Sequence, residues 1–216
     1  MSQTCPLCQL APGEPFAQDA KRHYLQCPIC RLVFVPADYF LTPEAEKKVY
    51  DQHQNSPDDL GYRRFLSRLF TPLSQRLPPN SHGLDFGSGP GPTLSVMFQE
   101  IGHSMAIYDP FYAPDPTPLS QMYDFVTATE VVEHLHTPHQ ELDLLWSRLQ
   151  PGGTLGIMTK RVLNAEAFPQ WHYKNDPTHV SFFSAETFEW LAQHWGADLT
   201  FIGKDVVLFA KPMFLE

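Results

Sequence analysis

Apolar positions along the chain change their spacing twice. Between residues 43 and 77 they recur every three or four residues, with Phe65, Leu66, Leu69, Phe70 and Leu73 on one side. That period predicts a helix over Asp58 to Arg76. An earlier helix is predicted to start at Thr42-Pro43-Glu44-Ala45-Glu46. Threonine there can cap, proline suits the first turn, and acids sit at the positive end. Leu77-Pro78-Pro79-Asn80 breaks the pattern as a linker. From Ser81 onward, short apolar runs alternate with helix-period stretches. Strands are predicted near 82–86, 104–108, 124–128, 153–159, 198–203 and 205–211, and helices near 91–101, 138–149 and 184–195. Strands alternating with helices give a mostly parallel, doubly wound α/β sheet. The last two strands, parted by Gly203-Lys204, form an antiparallel hairpin. Ahead of residue 41 the apolar runs are short: Tyr24-Leu25, then Leu32-Val33-Phe34-Val35. Three segments follow, at 1–40, 41–80 and 81–216.

Composition narrows the classes. A chain of 216 residues suits one domain with a small appendage and needs no disulfide staples. Its 21 prolines predict many short loops. A net charge of −9 argues against a broad phosphate-binding surface, so nucleic acid is not the expected partner. No apolar run reaches the roughly 18–20 residues of a membrane span. Met1-Ser2-Gln3-Thr4-Cys5-Pro6 lacks the charged start and apolar stretch of a signal peptide, so the expected location is cytoplasmic. Cysteines in that compartment are metal ligands more often than disulfides. All four fall early: Cys5 and Cys8, a gap of 18 residues, then Cys27 and Cys30. Two CxxC turns at this separation bring four thiolates together and complete the tetrahedron that Zn²⁺ accepts. The segment resembles a zinc ribbon and predicts one structural Zn²⁺ per chain.

Gly83-Leu84-Asp85-Phe86-Gly87-Ser88-Gly89-Pro90-Gly91 joins a predicted strand to a predicted helix. Glycines at such a turn let a ligand approach the backbone closely. The next strand, Ser104 to Tyr108, ends in Asp109, about 20 residues on, where an acid can accept ribose hydroxyls. Asp85-x-Gly87-x-Gly89-x-Gly91 resembles motif I of the class I S-adenosylmethionine-dependent methyltransferases. A dinucleotide dehydrogenase would more typically carry glycine at position 92, which here is proline. Tyr123 to Glu130 resembles that family's fourth-strand motif, and Leu149-Gln150-Pro151-Gly152-Gly153-Thr154-Leu155 its turn into the fifth strand. The resemblance covers about residues 58–211 and implies a Rossmann-like fold with S-adenosyl-L-methionine as cofactor. It implies that Gly87 and Gly89 underlie the methionine part and that Asp85 orients its amino group. It further implies that Asp109 binds the ribose, and that Thr129 and Glu130 lie by the sulfur. The stretch from Ala113 to Leu119 departs from the pattern: it is proline-rich, and the expected third strand is short at best.

Glu130-Val131-Val132-Glu133-His134 follows the fourth strand. At three- and four-residue spacing these side chains share one face of a helical turn. The motif is similar to the Glu-x-x-Glu-His of ubiquinone-pathway O-methyltransferases and small-RNA 2′-O-methyltransferases. There a later histidine joins a divalent metal, and His179 is the counterpart here. Two readings stay open. In one, Glu130, Glu133, His134 and His179 hold Mg²⁺ or another divalent ion. In the other, no metal binds, the group braces the loop or touches substrate, and His179 or His134 serves as general base. Trp171, His172 and Tyr173 are expected at the acceptor pocket, and residues 50–55 (Tyr50-Asp51-Gln52-His53-Gln54-Asn55) as a lid. The expected reaction is methyl transfer to a small-molecule acceptor, through oxygen. The alternatives are an RNA or protein methyltransferase whose ribbon recruits substrate, and a non-catalytic module. Oligomeric state is not legible.

Overall fold

The protein is described by a computed structural model covering residues 3–52 and 55–213. His53 and Gln54 of the expected lid, and Met1 and Ser2, lie outside the described residues.

The chain opens with three short strands, β1 (Glu14–Gln18), β2 (His23–Gln26) and β3 (Val33–Phe34), then α1 (Pro43–Tyr50) and α2 (Leu60–Ser74). There follow β4 (His82–Phe86), α3 (Thr93–Glu100), β5 (Ser104–Tyr108), β6 (Tyr123–Thr129), α4 (Pro138–Ser147) and β7 (Leu149–Met158). β8 (Ser181–Phe182), α5 (Ala185–Trp195), β9 (Asp198–Ile202) and β10 (Val206–Ala210) complete it. The main sheet runs β5-β4-β6-β7-β10-β9. The first four strands are parallel neighbours; β10 is antiparallel to both β7 and β9. This is the doubly wound sheet with its hairpin, as expected.

Strand side chains alternate between two apolar layers. Phe125, Met158, Val206 and Leu208 face Leu66, Leu69, Leu73, Met97 and Phe98 of α2 and α3. Val126, Leu155, Ile157, Val207 and Phe209 face the opposite layer with Leu142, Leu145, Phe188 and Leu191 of α4 and α5. Burying each such side chain is worth about 1.5–3 kcal/mol, and this sandwich fixes the strand ends that carry the site. The first helix starts at its expected cap, and two others carry caps as well. Thr42 Oγ1 accepts from the Ala45 amide at 3.3 Å, Asp59 caps α2, and Ser184 with Thr187 forms a reciprocal cap on α5.

No third strand extends the sheet beyond β5 among the described residues. A single bridge joins Asp109 to Ala113, and Thr117–Ser120 is a short 3₁₀ turn. Four prolines between 110 and 118 lack the amide that a ladder requires.

The N-terminal ribbon does not close on itself. Its sheet runs β1-β2-β3-β8, and the fourth strand comes from the loop after β7: Val33 pairs with Phe182 and Phe34 with Ser181. Tyr24, Val33 and Val35 then share an apolar cluster with Phe168, Tyr173 and Phe182 of that loop.

Candidate functional site

The two cysteine pairs form matching turns. In each, the residue after the second cysteine is left-handed, Gln9 at φ 58° and Arg31 at φ 62°. Its amide donates back to the first cysteine's carbonyl, Gln9 to Cys5 at 3.2 Å and Arg31 to Cys27 at 3.1 Å. The four Sγ atoms lie within 4.8 Å of one another, with Cys5 to Cys30 at 3.5 Å and Cys8 to Cys27 at 3.4 Å. All four are buried and none is in a disulfide. Tetrahedral zinc with bonds of about 2.3 Å sets sulfurs about 3.8 Å apart, so the cluster fits Zn²⁺.

At the end of β4 the chain turns through Gly87 and Gly89, at φ 72° and 65°. A Cβ on Gly87 would sit 2.4 Å from Val131 Cγ2, and one on Gly91 would sit 2.1 Å from the Asn55 carbonyl oxygen. The loop is therefore packed between the β6 turn and the segment leading into α2. Asp109 ties it down: Oδ2 accepts from the Gly89 amide at 2.9 Å, and Oδ1 from Phe111 and Tyr112 at 2.8 and 3.0 Å. Beneath the loop, Asp85 accepts from Thr127 Oγ1 at 2.8 Å and Ser95 Oγ at 3.2 Å. Burial nonetheless pushes its carboxyl up to about 6. Ser88 Oγ and Thr129 Oγ1, at the tips of the β4 and β6 turns, are buried without a hydrogen-bond partner among the described residues. Orphaned hydroxyls cost about 1–3 kcal/mol each. Two of them at neighbouring strand ends, beside glycines with no side chains, fit a polar ligand such as the expected cofactor.

The acids and histidines after β6 come together, by a different route than a helical turn. Glu130 is left-handed at φ 53°, and Val132–His134 is one 3₁₀ turn. Glu133 is fully buried: Thr159 Oγ1 donates to Oε2 at 2.9 Å and the Tyr173 hydroxyl donates to Oε1. The same Tyr173 hydroxyl lies 3.2 Å from Glu130 Oε2. Burial raises the Glu133 carboxyl to about 7, and burial with the neighbouring Glu133 charge raises Glu130 to about 8. Glu133, His134 and His179 each offer a ligand atom within 4.8 Å of the others, and Glu130 stands outside that trio. The two imidazoles meet edge to face at 4.6 Å. Each points Nδ1 at a carbonyl, His134 at Thr178 (3.2 Å) and His179 at Tyr173 (2.7 Å). An Nδ1–H held in this way leaves the lone pair on Nε2, the usual state of a ligating histidine. Burial, then the neighbouring His134, depresses the His179 imidazole to about 3.

Other expectations divide. Tyr173 turns inward. His172 lies at the exposed surface against Lys160 Nζ, at 3.0 Å. Trp171 packs on Tyr173 and Phe182. Tyr50 reaches both strand ends, with its ring 5.3 Å from His134 and 5.5 Å from Phe111. Asp51 accepts from the Tyr112 hydroxyl at 2.7 Å, and Asn55 Nδ2 donates to Tyr62 at 3.1 Å. Thr159 carries no motif that would have singled it out.

A doubly wound sheet with a glycine turn after its first strand, an acid ending the second, and polar groups clustered after the third has the layout of a nucleotide-cofactor transferase. The chain belongs to the methyltransferase-domain family, whose model matches residues 59–200. It is an S-adenosylmethionine-dependent methyltransferase. No curated protein matches its sequence. Among solved structures, it is similar to a 1,6-didemethyltoxoflavin N1-methyltransferase from Burkholderia thailandensis with its substrate and S-adenosylhomocysteine bound. Identity is 15%, TM-score 0.50, and coverage 92% of this chain and 99% of that one. It is similar to an O-methyltransferase family protein from the same organism (11%, TM-score 0.52, 79% and 64% covered). It is also similar to magnesium protoporphyrin IX methyltransferase from Synechocystis with S-adenosylhomocysteine bound (12%, TM-score 0.50, 81% and 97% covered). At these identities the likeness carries the fold. Among the described residues no helix is long and apolar enough to cross a membrane.

Proposed function

We propose that the chain methylates a small-molecule acceptor through oxygen, at a site bounded by the glycine loop and the Glu133–His134–His179 group. The observation that supports this reading most is that convergence of one carboxylate and two imidazoles at the end of β6. That strand is the parallel neighbour of β4, which delivers the cofactor loop. S-adenosylmethionine, when bound, supplies a methyl group on an electrophilic sulfonium. The work left to the protein is alignment and removal of the acceptor's proton. In this reading Gly87 and Gly89 lie beneath the methionine part, Asp85 faces its ammonium through the loop, and Asp109 holds the ribose. Thr129 and Glu130 flank the sulfur. Where no metal is bound, His179 or His134 takes the acceptor proton on Nε2. Segments 1–40, 41–80 and 81–216 act as ribbon, lid-bearing linker and methyltransferase body. The ribbon binds Zn²⁺.

A divalent ion at Glu133, His134 and His179 would lower the pKa of an acceptor hydroxyl. Two nitrogens and one carboxylate oxygen suit a transition ion such as Zn²⁺ or Fe²⁺ better than Mg²⁺, which prefers near-octahedral oxygen. The test is an acceptor screen of small phenols and sugars against RNA and lysate protein, with and without chelator. Turnover on a phenol or sugar supports the reading; methylation confined to RNA or protein overturns it in favour of recruitment by the ribbon. On any small acceptor found, His179→Asn is expected to cut kcat by about 10²–10⁴-fold with little change in S-adenosylhomocysteine affinity. Unchanged kcat removes His179 from catalysis.

Asp85 gives a pH prediction. Burial raises its carboxyl to about 6, and an adjacent ammonium favours the ionised form. Binding therefore expels a proton, so affinity for S-adenosylhomocysteine rises from about pH 5 to about pH 7 and then levels. Calorimetry near pH 6 in buffers of different ionisation heat should show that release, and Asp85→Asn should abolish it. Equal heats in all buffers for the unaltered protein would contradict the assignment.

A further inference from the structure

Arg22 sits in the turn between β1 and β2, within the ribbon, yet its guanidinium is buried against a distant loop. Nη1 donates to the His179 carbonyl at 2.9 Å and to Pro177 at 3.4 Å. Nη2 donates to the Asp176 carbonyl at 3.0 Å and also to that of Lys174. Four carbonyls of one loop thus converge on one planar cation, an arrangement that only the forked donors of arginine satisfy. Asp19 shapes the presenting turn, accepting from the Lys21 and Arg22 amides at 2.8 and 2.9 Å. It also takes the Lys174 ammonium at 2.7 Å and the Tyr24 hydroxyl at 3.0 Å. The contacts then run inward. His179 Nδ1 meets the Tyr173 carbonyl, and the Tyr173 hydroxyl meets Glu130 and Glu133.

We propose that Arg22 is a positioning residue for the His134–His179 pair, so that the ribbon braces the active-site loop from behind. The proposal rests on the reading of His179 given above. The donors of Arg22 are occupied within the chain, which suits a brace and leaves little to offer a recruited substrate.

The test uses the full chain, zinc-loaded and saturated with S-adenosylhomocysteine, in wild type, Arg22→Met and Arg22→Lys. Arg22→Met should speed hydrogen–deuterium exchange across residues 174–180, where the Thr178 and Val180 amides are bonded, by about tenfold. It should also shift and broaden the ¹⁵N ring signals of His179. Affinity for S-adenosylhomocysteine should stay within about twofold, because the glycine loop makes none of these contacts. Arg22→Lys keeps the charge without the fork and should fall between. Unaltered exchange and ring signals in Arg22→Met overturn the proposal. So does exchange accelerated equally over β4 to β7, which would make Arg22 a general stabiliser. The catalytic reading fails separately: full turnover in His179→Asn sinks it whatever Arg22→Met does to the loop.

Discussion

Replacing Cys27 with serine is expected to release zinc and to lower the unfolding midpoint of the whole chain, not of its first 40 residues alone. Cys27 is fully buried, with its sulfur 3.4 Å from that of Cys8. Serine offers a neutral hydroxyl where a thiolate is needed. Structural zinc in finger peptides contributes about 10–16 kcal/mol, which is folding free energy because the site does not exist in the unfolded chain. Losing one of four ligands should forfeit several kcal/mol of it. The effect spreads because Cys27 and Phe34 belong to the same apolar cluster as Val126, Leu155 and Phe188 of the main sheet and α5. Elemental analysis should find one zinc per wild-type chain and well under that in the variant, and calorimetry should show one lowered transition. An unchanged metal content, or a separate early transition with the main one untouched, would refute this picture.

Gly87→Ala is expected to weaken S-adenosylhomocysteine binding by at least about 100-fold, equivalent to about 2.7 kcal/mol. The left-handed φ of 72° penalises any side chain by about 1–2 kcal/mol, a strain that the loop can relieve only by leaving its present shape. The new methyl would lie 2.4 Å from Val131, which leads directly into the turn bearing Glu133 and His134. Gly196→Ala separates the two. Gly196 has φ 61° but nothing within 4 Å of a Cβ, and it caps α5 away from the loop. It should lose stability by the backbone cost alone and bind normally. Equal binding by both variants would remove the glycine loop from the cofactor site.

Much of this architecture was legible because strong local signals agreed with the global pattern. The apolar runs from Ser81 onward predicted six strands, and β4 and β5 fall at the expected 82–86 and 104–108. Alternating burial and glycine turns are properties of neighbouring residues, so sequence reports them well. The absence of a third strand among the described residues has a local reason too, the prolines from 110 to 118. What could not be read was set by distant contacts. A two-residue strand such as Ser181–Phe182 has no period to detect. Arg22 carries no motif, and its partners lie more than 150 residues away. Spacing put Glu130, Glu133 and His134 on a helical turn. The structure instead uses a left-handed Glu130 and a 3₁₀ turn, which turn Glu133 inward to Thr159 and Tyr173. Residue types pointed to which side chains gather there, Glu133, His134 and His179; the backbone that gathers them depends on the loop after β7.

The pairing of β3 with β8 also imposes an order on biosynthesis. The cysteine turns leave the ribosome before the strand that completes their sheet, which follows roughly 150 residues later, about 8–30 s at ordinary elongation rates. Through that interval β3 presents a bare edge, and cysteine knuckles loaded with Zn²⁺ would be the part of the ribbon able to hold shape locally. Metal loading during translation would then protect the nascent chain from wrong strand partners until residues 181–182 arrive.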